Sequence, residues 1–109
     1  MRARVSSNVD QFLFRAAEEV LGRNAARGMR VSGLRAWYYR VLAGTAAEPS
    51  GWQMRLIFQM IEQAAAEIAE LEADEGPQVK WNSKYDALRR QRAALIRFCA
   101  LRGLREEAP

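Results

Sequence analysis

The sequence predicts an all-α fold, and three observations lead to that prediction. Apolar residues recur at the spacing of an amphipathic helix, no segment of useful length alternates like a strand, and glycines separate the periodic segments. At 109 residues the chain can form one domain with its own core. We expect a single domain made of a three-helix head at residues 1–46 and a long helical hairpin at residues 47–109.

The first helix is predicted to begin near Val9. Its apolar face then contains Phe12, Leu13, Ala16, Val20 and Leu21. Ser7 and Asp10 have the spacing of a capping box, and Gly22 favours a stop. A short second helix is expected at residues 24–30.

The third helix is predicted to begin at Ser32, whose hydroxyl can cap it, and to run through Leu42. Gly44 ends it, and the polar stretch GTAAEPSG follows as a loop.

The fourth and fifth helices carry the clearest patterns. Ser50 and Gln53 form a capping box for the fourth helix, which ends at a Gly-Pro pair at residues 76–77. A further box of Ser83 and Asp86 opens the fifth helix, and Gly103 closes it.

A short break joins these two long helices, so we expect them to pack as an antiparallel hairpin. The apolar residues that recur at heptad-like spacing would form its seam: Trp52, Ile57, Ile61, Ile68, Leu71, Leu88 and Leu95. One hairpin cannot cover this seam together with Phe58 and Trp81, so we expect a homo-oligomer, a dimer or a ring.

Charge changes sign along the chain. Residues 1–55 hold nine arginines against four acids, residues 56–79 hold six acids and no base, and residues 80–109 are basic again. We expect the acids of the fourth helix to face the arginines of the fifth, which are Arg89, Arg90, Arg92 and Arg97. Exposed pairs contribute little stability, so their expected role is to select register and direction.

Composition argues against several functions. The chain has no histidine and one cysteine, so the usual zinc spacings and histidine-assisted nucleophiles are missing. Cys99 lies beside Phe98 and close to Leu101, which favours a buried structural thiol. We expect a protein without catalytic residues, metal or cofactor, and, since no apolar stretch approaches about 20 residues, no membrane span and a cytoplasmic location.

Residues 24–44, NAARGMRVSGLRAWYYRVLAG, resemble the helix-turn-helix of phage and bacterial DNA-binding proteins. In such a motif, Ala26 would be the small residue where two helices cross closely, Val31 would fill the apolar turn position and Ser32 would cap the second helix. The turn position four residues after Ala26 is usually glycine in this family and is Arg30 here. Arg30 would then have to adopt a backbone conformation that glycine takes more easily.

The resemblance implies a partner, double-stranded DNA, and a reading helix at residues 32–42. Ala36, Tyr39 and Leu42 would point inward, with Trp37 at the edge of the core. Gly33, Arg35 and Tyr38 would face the major groove, where Arg35 pairs with a guanine edge or a phosphate and Tyr38 bonds a phosphate oxygen. The surrounding arginines, Arg27, Arg30 and Arg40, would supply affinity for any sequence. The alternative is a basic helix whose aromatics only complete a small core.

Two functions suit this arrangement. Compact phage and prophage regulators and the small terminase subunits of tailed phages are similar in outline, with a DNA-binding head followed by helices that oligomerise. The competing hypothesis is a small helical inhibitor or adaptor of the anti-defence type. Such a protein would bind a host protein complex through the acidic surface at residues 62–75.

Overall fold

The computed structural model describes residues 8–106, and helices account for most of this range. There are five α-helices, with a 3₁₀ helix at Gly76–Trp81 before the last of them: α1 at Asn8–Leu21, α2 at Arg23–Arg27, α3 at Val31–Ala43, α4 at Gly51–Glu75 and α5 at Ser83–Leu101. No strand occurs in these residues, so the all-α prediction is confirmed. The predicted cap at Ser7 lies outside the described residues.

Several helix ends follow the sequence signals. The backbone N–H of Gln53 donates to the Ser50 hydroxyl, and the N–H of Ser50 donates to the Gln53 side chain at 2.9 Å, so the predicted capping box is formed. Gly44 ends α3 with φ 81°, a left-handed conformation that glycine adopts without steric strain.

Two predicted caps and one predicted boundary are wrong. α3 begins after Arg30 with no side-chain cap, so Ser32 lies inside the helix. α5 is capped by Asn82, whose side chain accepts from the N–H of Tyr85 at 3.1 Å, so Ser83 is the first helical residue. α2 ends at Arg27 and does not continue to Arg30.

All five α-helices contribute to one hydrophobic core. The largest side chains that are fully buried lie on α1, α3, α4 and α5: Leu13, Tyr38, Val41, Leu56, Ile57, Met60, Leu95 and Phe98. α4 and α5 form the most extensive helix pair, α1 also packs against α4, and α3 packs against α5. The apolar faces of the first three helices therefore close the same core as the two long helices.

The predicted seam residues all belong to this core. Ile57, Leu88 and Leu95 are buried. The other four are partly buried and pack against the cluster, namely Trp52, Ile61, Ile68 and Leu71. α1 also packs against α4, so α4 contacts α1 as well as α5.

The expected charge ladder between α4 and α5 is wrong. In residues 8–106, no arginine of α5 forms an ion pair with an acid of α4. Glu67 pairs instead with Arg15 of α1, and the Lys84 ammonium lies 3.9 Å from it. Arg90 pairs within its own helix with Asp86 at 3.0 Å. The prediction failed because most arginines of α5 lie on its outward face, where they cannot reach α4 of the same molecule.

Cys99 is buried, as predicted. Burial raises the pKa of its thiol, although the nearby Arg102 acts in the opposite direction. A buried thiol with a raised pKa is a poor nucleophile, which fits a structural side chain. Within the described range, no helix is both long and apolar enough to cross a membrane.

Candidate nucleic-acid interface

The orientation of α3 differs from the prediction. Its buried side chains are Leu34, Trp37, Tyr38 and Val41. Tyr38 is fully buried, whereas Tyr39 is 49% exposed, so the two tyrosines exchange the places expected for them. Ala36 is exposed as well. Helical spacing alone does not decide between the two faces, because residues 34, 37, 38 and 41 and residues 36, 39 and 42 both offer large apolar side chains.

Tyr38 cannot contact DNA from its position in the core. Its hydroxyl donates to the Gln91 side chain of α5 at 2.7 Å, and its ring lies 6.3 Å from the ring of Phe12 of α1. Burial, with a smaller contribution from Tyr39, raises the pKa of the Tyr38 hydroxyl. The predicted phosphate contact by Tyr38 is therefore wrong, and this residue instead joins α3 to two neighbouring helices.

Arg35 is also engaged inside the molecule. One of its terminal nitrogens lies 2.6 Å and 2.7 Å from the two carboxylate oxygens of Asp10 on α1. The Arg35 side chain is 39% exposed, so the pair is partly screened by water. Arg35 holds α1 against α3, and a base contact would require it to leave Asp10.

The outward face of α3 consists mainly of small side chains. Ser32, Gly33 and Ala36 are exposed along its first two turns. A Cβ added at Gly33 would meet no atom within 4 Å, which shows that the space beside it is open. Tyr39 and Arg40 continue the exposed face toward the C-terminus of the helix.

Arginines stand at both ends of this face. Arg27 and Arg30 are exposed just before α3, and Arg40 is exposed near its end. None of the three forms an ion pair within residues 8–106. Four of the six predicted DNA-binding residues thus lie exposed on or beside α3, namely Arg27, Arg30, Gly33 and Arg40. Tyr38 is buried, Arg35 is 39% exposed but paired with Asp10, and Tyr39, which was expected to point inward, is exposed.

The backbone between α2 and α3 differs from the expected turn. Arg30 has φ −84° and ψ 110°, an ordinary extended conformation, so the expectation that it would adopt a glycine-like conformation is wrong. Ala26 is buried, and α2 packs against α1. In the described residues, α2 does not pack against α3 as it does against α1. The case for this surface as an interface therefore depends on its exposure and charge.

The described residues contain no group of three or more histidine, cysteine, aspartate or glutamate side chains that could hold a metal ion. Comparisons of the chain with family models, curated proteins and solved structures found no match.

Proposed function

We propose that this protein binds double-stranded DNA without catalysing a reaction, and that it does so with the outward face of α3. The observation that carries the proposal is a helix face of small residues, Ser32, Gly33 and Ala36, between arginines that form no ion pair. The major groove is about 12 Å wide and admits an α-helix. Small outward side chains let the helix backbone approach the base edges closely.

The exposed side chains divide into two roles. Arg27, Arg30 and Arg40 contact phosphates and provide affinity for any sequence. The exposed Tyr39 takes the part first expected for Tyr38, since its hydroxyl can bond a phosphate oxygen. Ser32 is the side chain best placed to donate to or accept from a base edge.

The biological setting that we propose is a phage or mobile element, as the resemblance of residues 24–44 implies. A transcriptional regulator and a small DNA-packaging subunit both need a compact helical protein that holds a duplex without cleaving it. The DNA sequence that the protein binds would distinguish these two functions. A regulator binds an operator, whereas a packaging subunit binds the site at which packaging starts.

The proposal predicts how arginine substitutions change the salt dependence of binding. Arg27→Ala, Arg30→Ala and Arg40→Ala should each weaken binding to every duplex alike. Each should also lower the slope of log affinity against log salt by about 0.9, the value for one lost phosphate contact. Fluorescence anisotropy with a labelled random-sequence duplex at several salt concentrations measures both quantities.

The matched control is Arg55→Ala. Arg55 is exposed on α4, and the backbone of α4 does not come close to that of α3 in the described structure. We expect this variant to bind with the wild-type slope. Equal losses in all four variants would show that only net charge matters, and no binding to any duplex at low salt would remove the DNA proposal.

One observation favours the second candidate function, an inhibitor or adaptor that binds a basic host protein. Glu62, Glu70 and Asp74 are exposed on α4 and form no ion pair within residues 8–106. Glu67, in contrast, is engaged with Arg15 and Lys84. In this case Glu70→Lys with Asp74→Lys would abolish activity, while the arginine substitutions around α3 would have little effect.

A further inference from the structure

The two long helices carry outward faces with the same spacing and opposite charge. On α4, three exposed residues follow one another at intervals of four: Glu62, Ala66 and Glu70. On α5, three exposed residues repeat that interval: Arg89, Ala93 and Arg97. Residues four apart on a helix lie on one face, so each set forms a line along its helix.

Both faces also carry apolar surface. Ile96 is 40% exposed and Leu101 is 76% exposed on the outward side of α5. On α4, the outward side includes the exposed alanines Ala69 and Ala73. Alanines on both faces would let two helices approach closely, and the aliphatic side chains would gain by leaving water.

The four charged groups have no ionic partner inside the molecule. Within residues 8–106, none of Glu62, Glu70, Arg89 and Arg97 forms an ion pair. The Arg89 guanidinium lies 5.5 Å from the centre of the Tyr85 ring, and no carboxylate of the described residues pairs with it there. The outward face of α4 therefore carries unpaired negative charge, and the outward face of α5 carries unpaired positive charge.

We propose that the outward face of α5 in one copy of the chain binds the outward face of α4 in a second copy. Eight positions along a helix span about 12 Å, so both Glu–Arg pairs can form with Ala66 opposite Ala93. α4 and α5 are neighbours in each molecule. A two-fold dimer can therefore form the contact twice and generate a four-helix bundle.

A second copy fits these faces better than a nucleic acid does. Ile96 and Leu101 lie among the arginines of α5, and a phosphate backbone offers them no apolar partner. The ion pairs, which are exposed, contribute mainly to orientation, while the aliphatic contacts contribute affinity. This inference does not depend on DNA binding by α3.

Two charge-reversed variants test the contact. Arg89→Glu with Arg97→Glu makes both faces acidic, and Glu62→Lys with Glu70→Lys makes both faces basic. The wild type should have twice the 12.4 kDa mass of one chain by light scattering. Each variant alone should have the mass of one chain, because like charges then face each other. Circular dichroism must show wild-type helix content in both.

Restoration is the decisive part of the experiment. An equimolar mixture of the two variants should return to twice the mass of one chain, since each acidic face then meets a basic one. The fourfold variant, which carries all four reversals, should also associate with itself. As a control, Arg30→Glu with Arg40→Glu changes the net charge equally and should leave the mass at the wild-type value.

Four results would overturn the inference. The first is a wild type with the mass of one chain at every concentration tested, and the second is association that neither reversal weakens. The third is a pair of folded single-chain variants that do not associate when mixed. If the reversal on α5 abolishes duplex binding without changing the mass, its arginines hold nucleic acid and the contact between copies is wrong. The first three results leave untouched any duplex binding that depends on Arg27, Arg30 and Arg40.

Discussion

Leu56→Asp is expected to leave the chain unfolded. Leu56 is fully buried on α4, at the centre of the core that all helices share. Losing a buried leucine side chain costs about 2 to 5 kcal/mol, and burying a carboxylate without a partner costs several kcal/mol more. Domains of this kind have a total stability of about 5 to 15 kcal/mol. Circular dichroism and urea titration measure the loss of helix and of cooperative unfolding.

The matched control for this substitution is Trp81→Asp. Trp81 is 80% exposed at the end of the 3₁₀ helix, outside the proposed contact between copies, so an aspartate there remains hydrated. We expect the free energy of unfolding to change by less than about 1 kcal/mol. A cooperative, wild-type urea transition for Leu56→Asp would contradict the single core.

Tyr38→Ala is expected to cost about 3 to 5 kcal/mol of stability, the range for removing a buried aromatic side chain. Tyr38→Phe removes only the hydroxyl that donates to Gln91 and should cost about 1 kcal/mol. Tyr39→Ala, at a side chain that is half exposed, should cost less than Tyr38→Ala by several-fold. Urea unfolding of the three variants checks the orientation of α3, and equal losses at positions 38 and 39 would show that it is wrong.

Alkaline pH gives an independent readout of the same tyrosine. The pKa of Tyr38 in the folded state is raised above its ordinary value of about 10, so the folded state holds this proton more tightly than the unfolded chain. The resulting stabilisation of the folded state is complete below pH about 10 and is lost as the pH rises above that value. We therefore expect Tyr38→Phe to lose less stability than the wild type between neutral and strongly alkaline pH.

The helical class and most helix ends could be predicted because local signals determine them. Glycine at residues 22, 44 and 76 has a positive φ where a helix ends, and the Ser50–Gln53 box forms within one turn. The cap of α5 is not determined in this way, because Asn82 and the serine after it are equally good cap residues.

Predictions that depend on tertiary packing were less successful. The run Trp37–Tyr38–Tyr39 offers two possible buried faces, and only the positions of α1 and α5 select the one that contains Tyr38. The ion pairs of Glu67 and Asp10 join residues 52 and 25 positions apart, so no local pattern indicates them. The exposed position of the arginines around α3 was predicted correctly because charged side chains near helix ends seldom become buried.

The measurement that tests the proposed function most directly is an amide NMR titration of the protein with a short duplex at low salt. We expect the largest shift changes at Gly33, Ala36, Tyr39 and Arg40, with small changes at Glu62 and Glu70 on α4. Glu62 and Glu70 serve as an internal reference, because their negative charge repels a polyanion. Large changes on α4 with none on α3, or no change at any duplex concentration, would contradict DNA binding by α3.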